Sequence, residues 1–238
     1  MDITIEIIEF IRANRVSTTE VADALGKSGV LADILPITPG KLHVGRVRAL
    51  FTANDSNYDL HEQCKHVEKG EVVIVFTHAC NERAIFGDLV ARFLTLYKGA
   101  EAVVVDGKVR DVSRLRRETY PIWAKGVTPL GCFNVSAEPF PPEKVAAIRK
   151  QVDGGIAVCD DGGVVVIPRD QLNESMLARL HQIEDQEDIW YYCLNALKWD
   201  TKKIVCDKGY LAEDILPQVF IEKLAKMKKP LDSKKEGE

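Results

Sequence analysis

Two short, uninterrupted apolar runs, VVIVF (72–76) and AVVV (102–105), bracket a helical pattern of Phe86, Leu89, Val90, Phe93, Leu94 and Tyr97. A strand apolar at every position needs cover on both faces, which parallel sheets with crossover helices provide. That strand–helix–strand order continues into a polar helix after Arg110-Asp111 and predicts an α/β architecture with parallel pairing. HVGRVRALFTA (43–53) reads as a further strand and LHEQCKHV (60–67) as a helix. Before them, Ile5, Ile8 and Ile11 recur at helical spacing, and Ser17 or Thr18 can cap a second helix carrying Val21, Ala24 and Leu25.

Asp106-Gly107 reads as a turn, IWA (122–124) and PLGCFNV (129–135) as strands, and GIAVCDDGGVVVIP as a hairpin turning at 160–163. A long helix is expected from Asp170 through Leu172, Met176, Leu180 and Ile183. The expected organisation is one domain over residues 1–185, a helical appendage over 186–228 and a disordered tail over 229–238.

Net charge is −4 and no basic block is present, which argues against a nucleic-acid partner. No run reaches the roughly 18 apolar residues of a membrane helix, and MDITIEIIEFIRANR lacks the basic start of a secretory signal. The six scattered cysteines form no C-x-x-C pair, so a reduced cytoplasmic protein with buried or idle thiols is expected.

Gly87-Asp88 at a helix start suits a carboxylate or phosphate, because a helix N-terminus presents unpaired N–H groups. Its plain alternative is an ordinary turn with Asp88 favourable to the helix dipole. Arg110-Asp111 follows a buried strand, where ligands of parallel sheets gather. Arginine offers a planar fork for a carboxylate, and aspartate a hard oxygen for magnesium; a structural ion pair is the plain alternative. His61, Cys64, His66, His78 and Cys80 are residue types that suit zinc. Positions 61 and 66 point about 140° apart on a helix, however, so these read as partly buried side chains. Glu184, Asp185, Glu187 and Asp188 read as a solvated helix face, and Trp190, Tyr191, Tyr192 and Trp199 as packing aromatics.

STTEVADALGKSGVL (17–31), PITPGKLHVGRVRAL (36–50), GEVVIV (70–75), FGDL (86–89), AVVVDGKVRDVSRL (102–115), YPIWAKGVTPLG (120–131) and DDGGVVVIPRD (160–170) follow one another in an order that resembles the RraA-like family. That family includes class II 4-hydroxy-4-methyl-2-oxoglutarate (or 4-carboxy-4-hydroxy-2-oxoadipate) aldolases and the regulator of ribonuclease E activity. The resemblance implies an α/β/α sandwich of the swivelling phosphohistidine-domain type, here with a helical C-terminal appendage. It implies a homotrimer or homohexamer with sites at subunit interfaces. It also implies a lyase dependent on Mg²⁺ or Mn²⁺ that cleaves a hydroxylated 2-oxo diacid to pyruvate, often with oxaloacetate decarboxylase activity.

Carried onto this chain, Asp111 would bind the metal and Arg110 would hold and polarise the 2-oxo acid. Gly87, Leu89 and Val90 would offer backbone contacts to its carboxylate, and Asp88 would position a catalytic water. Both reactions leave a pyruvate enolate, whose charge a metal and Arg110 would share. The alternative from the same family is a non-catalytic regulator that binds a ribonuclease or another protein. Three departures stand out. Arg114 occupies the place where the family's aldolases carry an acid. The 22 residues between Gly87 and Arg110 slightly exceed the spacing the resemblance implies. EKVAAIRKQV (143–152) stands in place of a glycine-containing hairpin, and the segment after 185 has no counterpart.

Overall fold

The computed structural model describes residues 2–212 and 215–227; the expected disordered tail lies outside them. The chain divides into two compact units after Asn173, twelve residues before the boundary expected from the sequence.

The first unit opens on α1 (Ile3–Asn14), capped by Asp2, whose side chain accepts from the Thr4 N–H at 3.0 Å. Its buried stripe is Ile7 and Ile11, while Ile5 faces outward. Helix α2 (Thr18–Ala24) starts with a full capping box between Ser17 and Glu20. Thr18 instead ties the helix to Asp160, its hydroxyl donating to Oδ1 at 2.6 Å and its N–H to Oδ2 at 2.8 Å. There follow β1 (Leu35–Pro36), β2 (His43–Ala53), α3 (Tyr58–Gln63), β3 (Val72–His78), β4 (Ala84–Phe86), α4 (Asp88–Arg92), β5 (Ala102–Val109), α5 (Val112–Arg117), β6 (Ile122–Val127), α6 (Pro142–Val152), β7 (Ile156–Asp160) and β8 (Gly163–Ile167).

The eight strands form one mixed sheet in the order β1-β6-β5-β3-β2-β7-β8, with β4 beside the end of β5. Strands β2, β3, β5 and β6 are parallel, and β1, β7 and β8 add antiparallel edges. The apolar runs are explained by cover on both faces. Val73, Val75, Val103 and Val105 pack with Leu60, Val90, Leu94 and Leu115. Val72, Ile74, Ala102 and Val104 pack on the opposite face with Phe51, Trp123, Phe140 and Val152. Trp123 is fully buried, and its indole N–H donates to the Asp160 carbonyl at 2.8 Å. Trp123→Ala should therefore cost about 3–5 kcal/mol, read as a lower urea midpoint by circular dichroism; an unchanged midpoint would contradict this core assignment.

Three local expectations are corrected. Asp106-Gly107 is no turn: β5 runs through it with a register shift between Val105 and Lys108. A hairpin turn of the Asp-Gly type needs positive φ, whereas Gly107 is not among the glycines with positive φ. It is small because a Cβ there would lie 3.0 Å from Thr77 Cγ2 and 3.3 Å from Ile85 Cγ1. Segment 129–135 is not a strand. Its N–H groups divide between two partners, Cys132 donating to the Ala84 carbonyl and Phe133 to that of Asp55. The pattern over 86–97 is not one helix: Phe86 ends β4, and Phe93–Tyr97 is a π-helical turn closed by the Lys98 N–H on the Phe93 carbonyl at 3.0 Å. A π-turn fits an extra residue into a helix, so it takes up part of the long Gly87–Arg110 spacing without moving the helix start.

The segment 143–152 is helical as α6, begun by Pro142 in its first turn. A short 3-10 turn (Arg169–Gln171) ends the first unit; the second begins with α7 (Glu174–Asn195), and α8 (Gln218–Met227) closes the described chain. Ile189, Cys193, Ile204, Tyr210, Leu216 and Leu224 form this unit's own core, joined by Trp190, Tyr192, Trp199 and Phe220. The acidic run is less solvated than its composition suggests, since Asp185 and Asp188 both pair with Lys223 of α8. No described helix is long and apolar enough to cross a membrane.

Candidate active site

The carboxyl end of β5 delivers Arg110 and Asp111 beside the start of α4. Two backbone bonds hold this junction, the Arg110 N–H donating to the Phe86 carbonyl and the Thr128 N–H to that of Val109, each at 3.0 Å. Asp111 adopts the left-handed conformation, φ 59°, and its carbonyl accepts from Arg114 and Leu115 to begin α5. Aspartate is one of the few residues that tolerate this conformation. Strain of this kind gathers where a side chain must be aimed.

The Asp111 side chain turns back to α4, where the Asp88 N–H donates to its Oδ2 at 3.1 Å. Gly87 sits directly beneath. A Cβ at that position would fall 2.0 Å from Asp111 Oδ2 and 2.8 Å from Arg110 Cγ. Its φ of −134° is ordinary, so space rather than backbone freedom requires the glycine. Gly131 does the same for Arg110, as a Cβ there would lie 2.4 Å from Nη1. The Gly131 carbonyl in turn accepts from Arg83 at 2.9 Å. Sequence reasoning assigned Gly131 no role, because nothing local ties it to an arginine 21 positions earlier.

Gly87, Asp88, Arg110 and Asp111 are thus brought together, and Leu89 and Val90 supply the first turn of α4. Leu89 is exposed and the Val90 side chain buried. Arg114 also joins the group, its Nη1 donating to Asp88 Oδ2 at 3.2 Å. Asp88 is mostly covered, and its Oδ1 has no hydrogen-bond partner among the described residues. The side chains of Arg110 and Asp111 remain 47% and 48% exposed, with Nε and Oδ2 3.9 Å apart. Two guanidinium groups and two carboxylates therefore balance in formal charge. A neighbouring cavity of about 310 Å³, lined by His61, Cys64, Lys65, Leu89, Val90 and Phe93, lies outside this quartet.

The residues fit a hard divalent ion of the magnesium type, which is commonly held by one or two carboxylates while keeping its waters. Asp111 presents a half-exposed carboxylate, and Asp88, whose N–H touches it, brings a second one close by, mostly covered. They do not build a zinc cage: no group of three or more His, Cys, Asp or Glu side chains suited to a metal occurs among the described residues. His61 and His66 are exposed rather than partly buried.

The pattern of the RraA-like family (Aldolase/RraA) matches residues 18–166, well over half of the chain and all of this site. The chain belongs to the RraA-like family. A relative from Halalkalibacterium halodurans, named "Putative 4-hydroxy-4-methyl-2-oxoglutarate aldolase", is 27% identical over 197 residues, covering 75% of this chain and 86% of its own. RraAS2 of Streptomyces coelicolor, described as an unusual member of the RNase ES inhibitor RraA protein family, superposes with a TM-score of 0.62. It is 24% identical and covers 77% of this chain and 96% of its own. The RNA-processing inhibitor RraA from Thermus thermophilis gives 0.52 at 24% identity, covering 64% and 93%. These two likenesses establish a common RraA-like fold.

Proposed function

We propose that this RraA-like chain is a divalent-metal-dependent lyase acting on a 2-oxo acid. The reaction is retro-aldol cleavage of a 4-hydroxy-2-oxo diacid to pyruvate, decarboxylation of oxaloacetate, or both. The observation that carries the reading is the pair Arg110-Asp111, aimed together at one strand end over two glycines that leave no room for a Cβ. The relative named as an aldolase supports it. A regulator that only binds another protein has no need of that clearance.

Arg110 holds the 2-oxo acid through its guanidinium fork, and Gly87, Leu89 and Val90 offer main-chain contacts to the substrate carboxylate. When the carbon–carbon bond breaks, its electron pair spreads onto the keto oxygen. Arg110 lies ready as a fixed positive charge for that oxygen. A cation on Asp111 would add Lewis-acid stabilisation of the same charge. In the retro-aldol case the substrate hydroxyl must lose a proton, and Asp88, mostly covered at the start of α4, is the carboxylate placed to orient a water that takes it.

Arg114 stands where the family's aldolases carry an acid. By pairing with Asp88 it offsets one carboxylate, which favours a dianionic substrate on a chain of net charge −4. The half-exposed pair, with Leu89, Phe93 and Tyr97 exposed along the helical segment that starts beside it, suits a site completed between copies in a homotrimer or homohexamer.

The test is a pyruvate-coupled assay with Mg²⁺ or Mn²⁺ across oxaloacetate and branched 4-hydroxy-2-oxo diacids. At least one should release pyruvate catalytically; failure of all of them would overturn the reading.

A further inference from the structure

Two of the six thiols differ from the rest. Cys64 and Cys159 are buried in the core, and burial pushes both up, Cys64 to about 12. Such thiols are inert. Cys80, by contrast, follows β3 between two residues of positive φ, Ala79 at 50° and Asn81 at 35°. Its turn is closed by the Arg83 N–H on the Cys80 carbonyl at 3.0 Å. One residue further, the Ala84 carbonyl accepts from the Cys132 N–H, also at 3.0 Å. This brings the two cysteines together although 51 residues separate them in sequence: Cys132 packs against the buried cluster that holds Cys80, whose thiol donates to the His78 carbonyl at 3.5 Å. Cys80 is 5% exposed, and Cys132, on the solvent side, is half-buried.

We propose that Cys80 and Cys132 are a modification site at which a hydroperoxide converts two neighbouring thiols into a disulfide beside the seat of Arg110. Contact with Cys132 lowers the Cys80 thiol against the effect of burial and raises that of Cys132. Cys80 is therefore the attacking sulfur. Its thiolate attacks one peroxide oxygen. An S–O bond forms, the O–O bond breaks, and the departing hydroxide takes up a proton to leave as water. The Cys132 sulfur then attacks the sulfenic acid at Cys80. The S–S bond forms, the S–O bond breaks, and the second water carries off the Cys132 proton. Two thiols are oxidised by two electrons, and one hydrogen peroxide is reduced to two waters. The bond would tie the segment bearing Gly131, and with it the floor under Arg110, to the end of β3.

Cys206, exposed in the second unit, is the internal competitor. The reduced full-length protein is treated with hydrogen peroxide near stoichiometry and mapped by mass spectrometry. The expected product is a Cys80–Cys132 disulfide, reversed by dithiothreitol, with oxidation of Cys206 slower by about tenfold or more. In Cys132→Ser the reaction should stop at a dimedone-trappable sulfenic acid on Cys80. Oxidation of Cys206 while Cys80 and Cys132 of the unmutated protein both stay free would overturn the proposal. The readout is independent of any lyase activity.

Discussion

Replacing Asp111 with asparagine should lower pyruvate release by at least about 10³-fold while the protein stays folded. Asparagine tolerates the left-handed φ of 59° and can accept the Asp88 N–H as the carboxylate does, so the start of α5 survives. What disappears is the negative charge that would hold a divalent cation. The Lewis-acid contribution is worth several kcal/mol, hence about three decades in rate. Asp111→Ala should be as inactive but also less stable by about 1 kcal/mol, since alanine pays for a left-handed backbone. The two variants thus separate charge from conformation: equal loss of activity, measured by coupled assay, with unequal thermal midpoints. Near-full activity in Asp111→Asn would remove Asp111 from the site.

Gly87→Ala tests geometry without touching charge. The added methyl would sit 2.0 Å from Asp111 Oδ2, far inside van der Waals contact, and the backbone at φ −134° accepts alanine freely. Relief therefore comes by moving the Asp111 carboxylate and the Arg110 stem. A displacement of roughly 1 Å costs about 10²-fold, and kcat/KM should fall by that order with the circular dichroism spectrum unchanged. Gly126→Ala is the control, because its Cβ would meet nothing nearer than 3.7 Å. Equal activity in both glycine variants would mean that the clearance around Asp111 plays no part in catalysis.

The central strands were legible because burial on both faces leaves a signature in every residue of Val72–Phe76 and Ala102–Val105. The candidate site was legible through Gly87-Asp88 and Arg110-Asp111, residue types suited to chemistry at predicted element ends. Other features depend on tertiary neighbours that leave no local trace. Asp106-Gly107 carries a turn signal, yet its glycine answers to Thr77 and Ile85 across the sheet. Strand β4 has three residues and no periodicity to read. The seat of Arg110 on Gly131 and the contact of Cys80 with Cys132 join segments far apart in the chain. The excess in the Gly87–Arg110 spacing was countable, but only the backbone shows the π-turn at Phe93–Tyr97 that helps to absorb it. Arg114 was visible as a departure, and its bond to Asp88 explains how an arginine is accommodated there.

The most direct test of the central claim is pyruvate release from one sample assayed with Mg²⁺, after EDTA, and after Mg²⁺ is restored. Turnover is expected, with loss to background on chelation and recovery on restoring the metal. Turnover that continues undiminished in EDTA would contradict that claim.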